Sequence, residues 1–152
     1  MSLELEIHPL RGVGPLRFGM QLSEVAAAIG DPEQVSKNHL GQRVEFRGPL
    51  TLGYSTDGPA ATLAHIGIAP AAVVPKLGDI RLFEQPDSTV IHGLLALEPK
   101  AGTYLGFLVF PALGIALTGF HDADESQRAV TLFAPGAWDK RLSKLAPFVQ
   151  SN

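Results

Sequence analysis

The stretch from Tyr104 to Phe120 is the most apolar in the chain, and Gly106, Pro111, Gly114 and Gly119 cut it into short pieces. No uninterrupted apolar run approaches the ~18 residues that a membrane-spanning helix needs, so strands are expected at Tyr104–Phe110 and Ile115–Phe120, joined at 111–114. Within Tyr104–Phe110 both alternate sets are apolar, with Tyr104, Leu108 and Phe110 on one face and Leu105, Phe107 and Val109 on the other. A sheet with one wet face alternates apolar with polar, so the second face is expected to pack on another part of this chain or on a partner. Large exposed apolar patches are otherwise rare on monomers. The expectation is a homodimer or partner interface built from Tyr104, Leu108 and Phe110, with Tyr54 or Trp138 at its margin. Cover by the N-terminal or C-terminal segment competes with it.

Elsewhere the pattern is that of an α+β domain. Leu22, Val25, Ala26 and Ile29 fall at i, i+3, i+4 and i+7, which predicts a helix over Leu22–Ile29 with Glu24 in its first turn and Gly30 and Pro32 as its stop. In Arg43–Arg47, Val44 and Phe46 share one face and three charges the other, as in a strand wet on one side; Leu50–Tyr54 repeats the pattern. Asp57-Gly58 marks a turn before a third strand at 62–68. Gly14-Pro15-Leu16-Arg17-Phe18 is echoed by Gly78-Asp79-Ile80-Arg81-Leu82, 64 residues on, and each is followed by a helical candidate and then by strands. Residues 10–70 and 75–135 are therefore read as tandem units, each a helix plus an antiparallel meander, within a single domain spanning 1–152. The second helix is expected at 88–97, capped by Asp87 or Ser88, although Gly93 weakens it and Val90-Ile91 would tolerate a strand. A strand at Ala129–Phe133 and a short closing helix at 138–145 complete the reading.

Gly19-Met20-Gln21-Leu22-Ser23-Glu24-Val25 followed by Gly30-Asp31-Pro32 resembles the signature of the β-lactamase-inhibitor-protein-like superfamily, which also holds small outer-membrane assembly lipoproteins. The resemblance implies a helical segment followed by an antiparallel sheet, sometimes duplicated, and a protein that acts by contacting other proteins. Gln21 departs from the Ser or Thr cap usual there. The acidic N-terminus is not a secretory signal and the chain has no Cys to carry a lipid, so the expected location is cytoplasmic.

Composition excludes more than it assigns. Twelve Lys plus Arg against 15 Asp plus Glu leave a net charge of −3, no electrostatic reason to approach a phosphate backbone. Nucleic acid and membrane are thus not expected as partners. Without Cys there is no disulfide framework, thiolate zinc site or cysteine nucleophile. His121-Asp122-x-Asp124-Glu125 groups possible ligands for a hard cation, but its spacing completes no loop motif, and a polar strand connection carries such residues anyway. No two of the five histidines have the i, i+4 spacing of zinc ligands. No serine sits in a nucleophile turn, and Gly12-Val13-Gly14 completes neither phosphate-binding fingerprint.

The leading expectation is a non-catalytic protein-binding module, an inhibitor or immunity-like protein, with self-association as a variant and with no cofactor, metal or catalytic residue. The alternative is a small-molecule binder or enzyme whose cleft is lined by Arg17, Arg81, His65 and His92. Convergence of those four side chains in one concave pocket would favour it, and dispersal would count against it.

Overall fold

The helix expected from the apolar stripe at Leu22–Ile29 forms over those residues, and strands of two to six residues make up most of the remaining regular structure. The structure is a computed structural model that describes residues 3–71 and 73–148. In chain order the first half runs β1 (Leu3–His8), β2 (Gly12–Val13), β3 (Leu16–Arg17), α1 (Leu22–Ile29), β4 (Gln34–Lys37), β5 (Arg43–Arg47), β6 (Leu50–Tyr54) and β7 (Leu63–Ile68). The second half runs β8 (Val73–Leu77), β9 (Ile80–Arg81), α2 (Asp87–Leu97), β10 (Gly102–Tyr104), β11 (Phe107–Phe110), β12 (Ile115–Thr118), β13 (Ala129–Phe133), α3 (Asp139–Leu142) and β14 (Ala146–Pro147). The fold is α+β with antiparallel strands predominating.

Two sheets result. The smaller has the order β3-β2-β1-β8-β9, with β1 and β8 parallel; the larger has the order β14-β10-β11-β12-β13-β7-β6-β5-β4 and is antiparallel throughout. Its centre is the pairing of β13 with β7, Val130 opposite Ile68 and Leu132 opposite Ile66. These four residues are buried and share one face with Leu52, Leu108, Phe110, Ile115 and Leu117. Against that face pack Val25 of α1, Val90 and Leu94 of α2, and Leu5, Ile7, Val13 and Leu16 of the smaller sheet, forming the main core. Helices α1 and α2 and the small sheet thus cover one side of the large sheet, and the opposite, outer side carries only the short α3.

Local chemistry accounts for the helix ends. Gly30 closes α1 at φ 84°, as expected of the Gly-x-Pro stop, and Glu24 Oε1 accepts a hydrogen bond from the Gln21 N–H at 3.0 Å. Helix α2 starts after Pro86, and neither Asp87 nor Ser88 caps it by side chain; Asp87 instead pairs with Arg128. Gly93, the residue that weakened the helix expectation, lies where α2 meets β9, and a Cβ there would stand 2.9 Å from Ile80 Cδ1. Close approach explains a glycine in mid-helix. The closing helix is shorter than expected, since α3 ends at Leu142 before the chain returns as β14.

Three sequence expectations are corrected. Tyr104–Phe110 is two strands, because the chain reverses at Leu105-Gly106, both with positive φ (47° and 87°). Tyr104 therefore pairs with Phe107 and lies on the face opposite Leu108 and Phe110. Secondly, Leu108 and Phe110 show no exposure and Tyr54 only 1 %, so all three belong to the core rather than to an interface. Thirdly, the wet and buried faces of β5 are inverted. Glu45 stands opposite Leu52, so the charged side of β5 continues the buried face of β6, and Val44 and Phe46 point to the outer side, away from α1 and α2.

Candidate functional site

The outer face is built from the second alternate set of each strand: Val44 and Phe46, Thr51 and Gly53, His65 and Gly67, Thr131 and Phe133, Ala116, Phe107 and Val109, and Tyr104. Its β11–β13 half is covered by the chain that follows β13. There Trp138 is 4 % exposed and stacks on Phe133 with ring centres 4.7 Å apart, closing a second small core with Val109 and Ala116. Phe107 meets the Trp138 ring edge-on at 5.3 Å. The expected cover by the C-terminal segment is thus realised over half of the face, with Trp138 as its anchor.

The β5–β7 half has no such cover. Phe46 is 38 % exposed on it, Leu40 in the β4–β5 hairpin is 69 % exposed, and Leu105 at the tip of the β10–β11 hairpin is 81 % exposed. A cleft runs along the seam between the covered and open halves. It comprises hollows of 390 and 510 Å³ that share Leu40, Gln42, His65, Trp138 and Arg141 in their walls. Its floor includes Gly53 and Gly67, whose missing side chains leave the space open; a Cβ on Gly53 would come within 3.2 Å of the His65 Cβ.

Two buried nitrogens in the walls of this cleft lack partners. His65 Nε2 and Trp138 Nε1 are both buried without a hydrogen bond. Burial holds the His65 pKa below its ordinary value, and the nearby charge of Arg141 acts in the same direction, so the imidazole is neutral at pH 7. The Arg141 guanidinium lies 4.7 Å from the centre of the Trp138 ring. With Lys140 and Lys144 it lines one wall, where Asp139 is the single acid. Arg141 escaped the sequence reading, yet its position three residues after Trp138 in a predicted helix was the available signal.

On the buried side, Glu45 organises a charge cluster. Its Oε1 accepts from the Tyr54 hydroxyl at 2.7 Å and from Arg47, and its Oε2 accepts from Arg43 Nε at 2.8 Å. Burial favours the neutral acid, but the hydrogen bonds from Tyr54, Arg47 and Arg43 outweigh it and hold the Glu45 pKa below the ordinary glutamate value. Burial, reinforced by the bond to Glu45, pushes the Tyr54 phenol upward. Arg47 Nη2 also donates to the Gly30 carbonyl at 3.1 Å, bringing a cation to the C-terminal end of α1, whose last turn has no basic residue of its own. This cluster supports the open half of the sheet from behind. Arg47 also borders a mostly apolar hollow of 520 Å³ between α1 and the small sheet.

The four residues of the small-molecule alternative do not converge. Arg17 on β3 and Arg81 on β9 occupy opposite edges of the small sheet, about 19 Å apart at ~4.8 Å per strand spacing. Arg17 donates to the carbonyls of Gly14 and Leu16, while Arg81 pairs with Glu4 and Glu84. His92 is exposed on α2, and His65 lies across the large sheet from all three. In the 121–125 loop, Asp124 accepts from the Ser126 N–H and hydroxyl, so that carboxylate shapes the turn. Among the described residues no group of three or more His, Asp or Glu is placed to hold a metal, and no helix is long and apolar enough to cross a membrane. Set against protein families, curated proteins and solved structures, the chain finds no match.

Proposed function

We propose that this chain is a cytoplasmic, non-catalytic protein-binding module that docks a partner on the outer face of its large sheet, opposite α1 and α2. The observation that carries the reading is Leu105. It occupies the first central position of a two-residue hairpin turn at φ 47°, where Asn, Asp or Gly is favoured, and its side chain is 81 % exposed. Neither local conformation nor burial accounts for a leucine there, and residues that break a local rule without structural gain cluster at functional surfaces. Phe46 and Leu40 add exposed apolar side chains on the open half, and of the expected interface residues Tyr104 lies on this face while Trp138 is buried beneath it.

The resemblance to the β-lactamase-inhibitor-protein-like superfamily belongs to the same proposal, as does assembly from tandem units at 10–70 and 75–135. In its support, a shift of 64 residues carries β5 onto β11, β6 onto β12 and β7 onto β13 to within two residues, and both halves run hairpin, helix, four strands. An inhibitor or immunity-like role is what that resemblance implies for a module that presents a sheet face to a partner.

The test is affinity capture of the tagged full chain from its native host, with mass spectrometry and light-scattering mass, beside the variant Leu40→Glu/Phe46→Glu. A stoichiometric partner, or a homodimer, lost in the variant supports the reading. A monomer that retains nothing, or a partner indifferent to both charges, overturns it.

A further inference from the structure

We propose that the cleft at the seam of the outer face binds a small organic carboxylate with an apolar body. The inference needs no protein partner and stands apart from the docking reading. It rests on three features of one concavity. The first is a pair of buried nitrogens without hydrogen-bond partners. Trp138 is 4 % exposed, and its ring faces are taken by Phe133 at 4.7 Å and by Arg141 at 4.7 Å, while its Nε1–H makes no hydrogen bond. His65 Nε2, in the same cavity wall, is likewise unpartnered. Leaving a buried polar group without a partner is costly, and an indole N–H can be satisfied only by an acceptor. The vacancy therefore selects a ligand oxygen, and the neutral imidazole can meet it as the Nε2–H tautomer.

The second feature is charge. Lys140, Arg141 and Lys144 line one side, and none of them makes an ion pair among the described residues. Arg141 is exposed and held only by its contact with the Trp138 ring. It can swing from the ring onto an arriving anion, and its planar fork fits the two oxygens of a carboxylate. The third feature is the remaining wall. Val44, Phe107, Leu40 and the glycine floor at Gly53 and Gly67 offer apolar surface and room, and hollows of 390 and 510 Å³ fall in the range of small-molecule sites. An anion with an apolar body uses both walls, whereas a compact dianion such as phosphate leaves the apolar wall unused and is dearer to desolvate.

Trp138 is the chain's one tryptophan, so its fluorescence reports directly on the site. The experiment titrates the full chain with benzoate at constant ionic strength, following Trp138 emission and the His65 imidazole resonances by NMR. Benzamide and inorganic phosphate serve as neutral and apolar-free comparisons, and Arg141→Gln as the variant, its exposed position leaving the fold intact. The expected result is a saturable benzoate response in both probes, weakened about tenfold or more by Arg141→Gln and not reproduced by benzamide or phosphate. Absence of saturation in both probes overturns the proposal. So does equal binding of benzamide or phosphate, or an Arg141→Gln protein that binds benzoate as the parent does.

Discussion

Replacing Glu45 by Gln tests whether the charge cluster behind the open half of the sheet is truly withdrawn from water. Glu45 is 2 % exposed and accepts hydrogen bonds from Tyr54, Arg43 and Arg47, the last of which is itself 8 % exposed. Glu45→Gln preserves shape but removes the charge and turns an amide NH2 toward arginine donors. Removing one partner of a buried ion pair costs about 3–5 kcal/mol, because the other charge stays buried without compensation. At roughly 2–4 °C per kcal/mol for a domain of this size, the melting temperature should fall by roughly 6–20 °C. Calorimetry and urea unfolding with a common m-value measure it. Acidification supplies an independent check. The folded pKa of Glu45 lies below the value of about 4.3 expected in the unfolded chain, so its contribution is complete above that pH and drains away as pH falls through the folded value. The variant's amide does not titrate, so the stability gap between the two proteins should narrow on acidification. A cost under about 1 kcal/mol, the worth of a solvated surface pair, or a gap that stays constant as the pH drops below 4, would refute the desolvated cluster.

Gly93→Ala should destabilise by about 1 kcal/mol, against the usual gain of about 0.5–1 kcal/mol for that change in a helix, because the new Cβ meets Ile80. Chemical denaturation checks this, and Ile80→Val in the same chain should recover most of the loss. Leu105→Asn should raise stability by about 0.5–1 kcal/mol by suiting the turn, and should weaken any partner captured through this face. Trp138→Ala should release the C-terminal cover: hydrogen exchange would show the Leu142 amide, bonded to the Trp138 carbonyl at 2.8 Å, losing protection while the β12–β13 ladder keeps it. Equal loss of protection in both segments would show that the cover and the sheet unfold as one unit.

What the sequence discloses depends on the range of the interactions that decide each feature. Helix α1 is legible to the residue because its stripe, its first-turn Glu24 and its Gly30 stop all lie within ten positions. The alternation in β5 is equally local, but which set faces the core is not. Glu45 and Arg47 are buried by being paired with each other, with Tyr54 nine residues away and with the Gly30 carbonyl at the end of a helix, and alternation counts charges as wet. The two-residue strands β2, β3 and β9 are too short to show a period. Tyr104–Phe110 was misread for a different reason: Leu105 stands where turn chemistry calls for Asn or Gly, so only Gly106 signalled the reversal. The parity rule then placed Leu108 and Phe110 at an interface when both belong to the core, and its inference of a second covered face survived because Val109 and Phe107 do meet Trp138. The candidate cleft was the least legible part, since it joins the β4–β5 hairpin to a segment a hundred residues further on through two glycines that carry no chemical signal. Its visible trace was Trp138 with Arg141 on one turn, a pair that packs a ring under a cation whatever the fold. The feature that escaped local reading in the turn, Leu105, is the same one that carries the docking proposal, because a residue chosen for neither conformation nor burial is unexplained until something binds it.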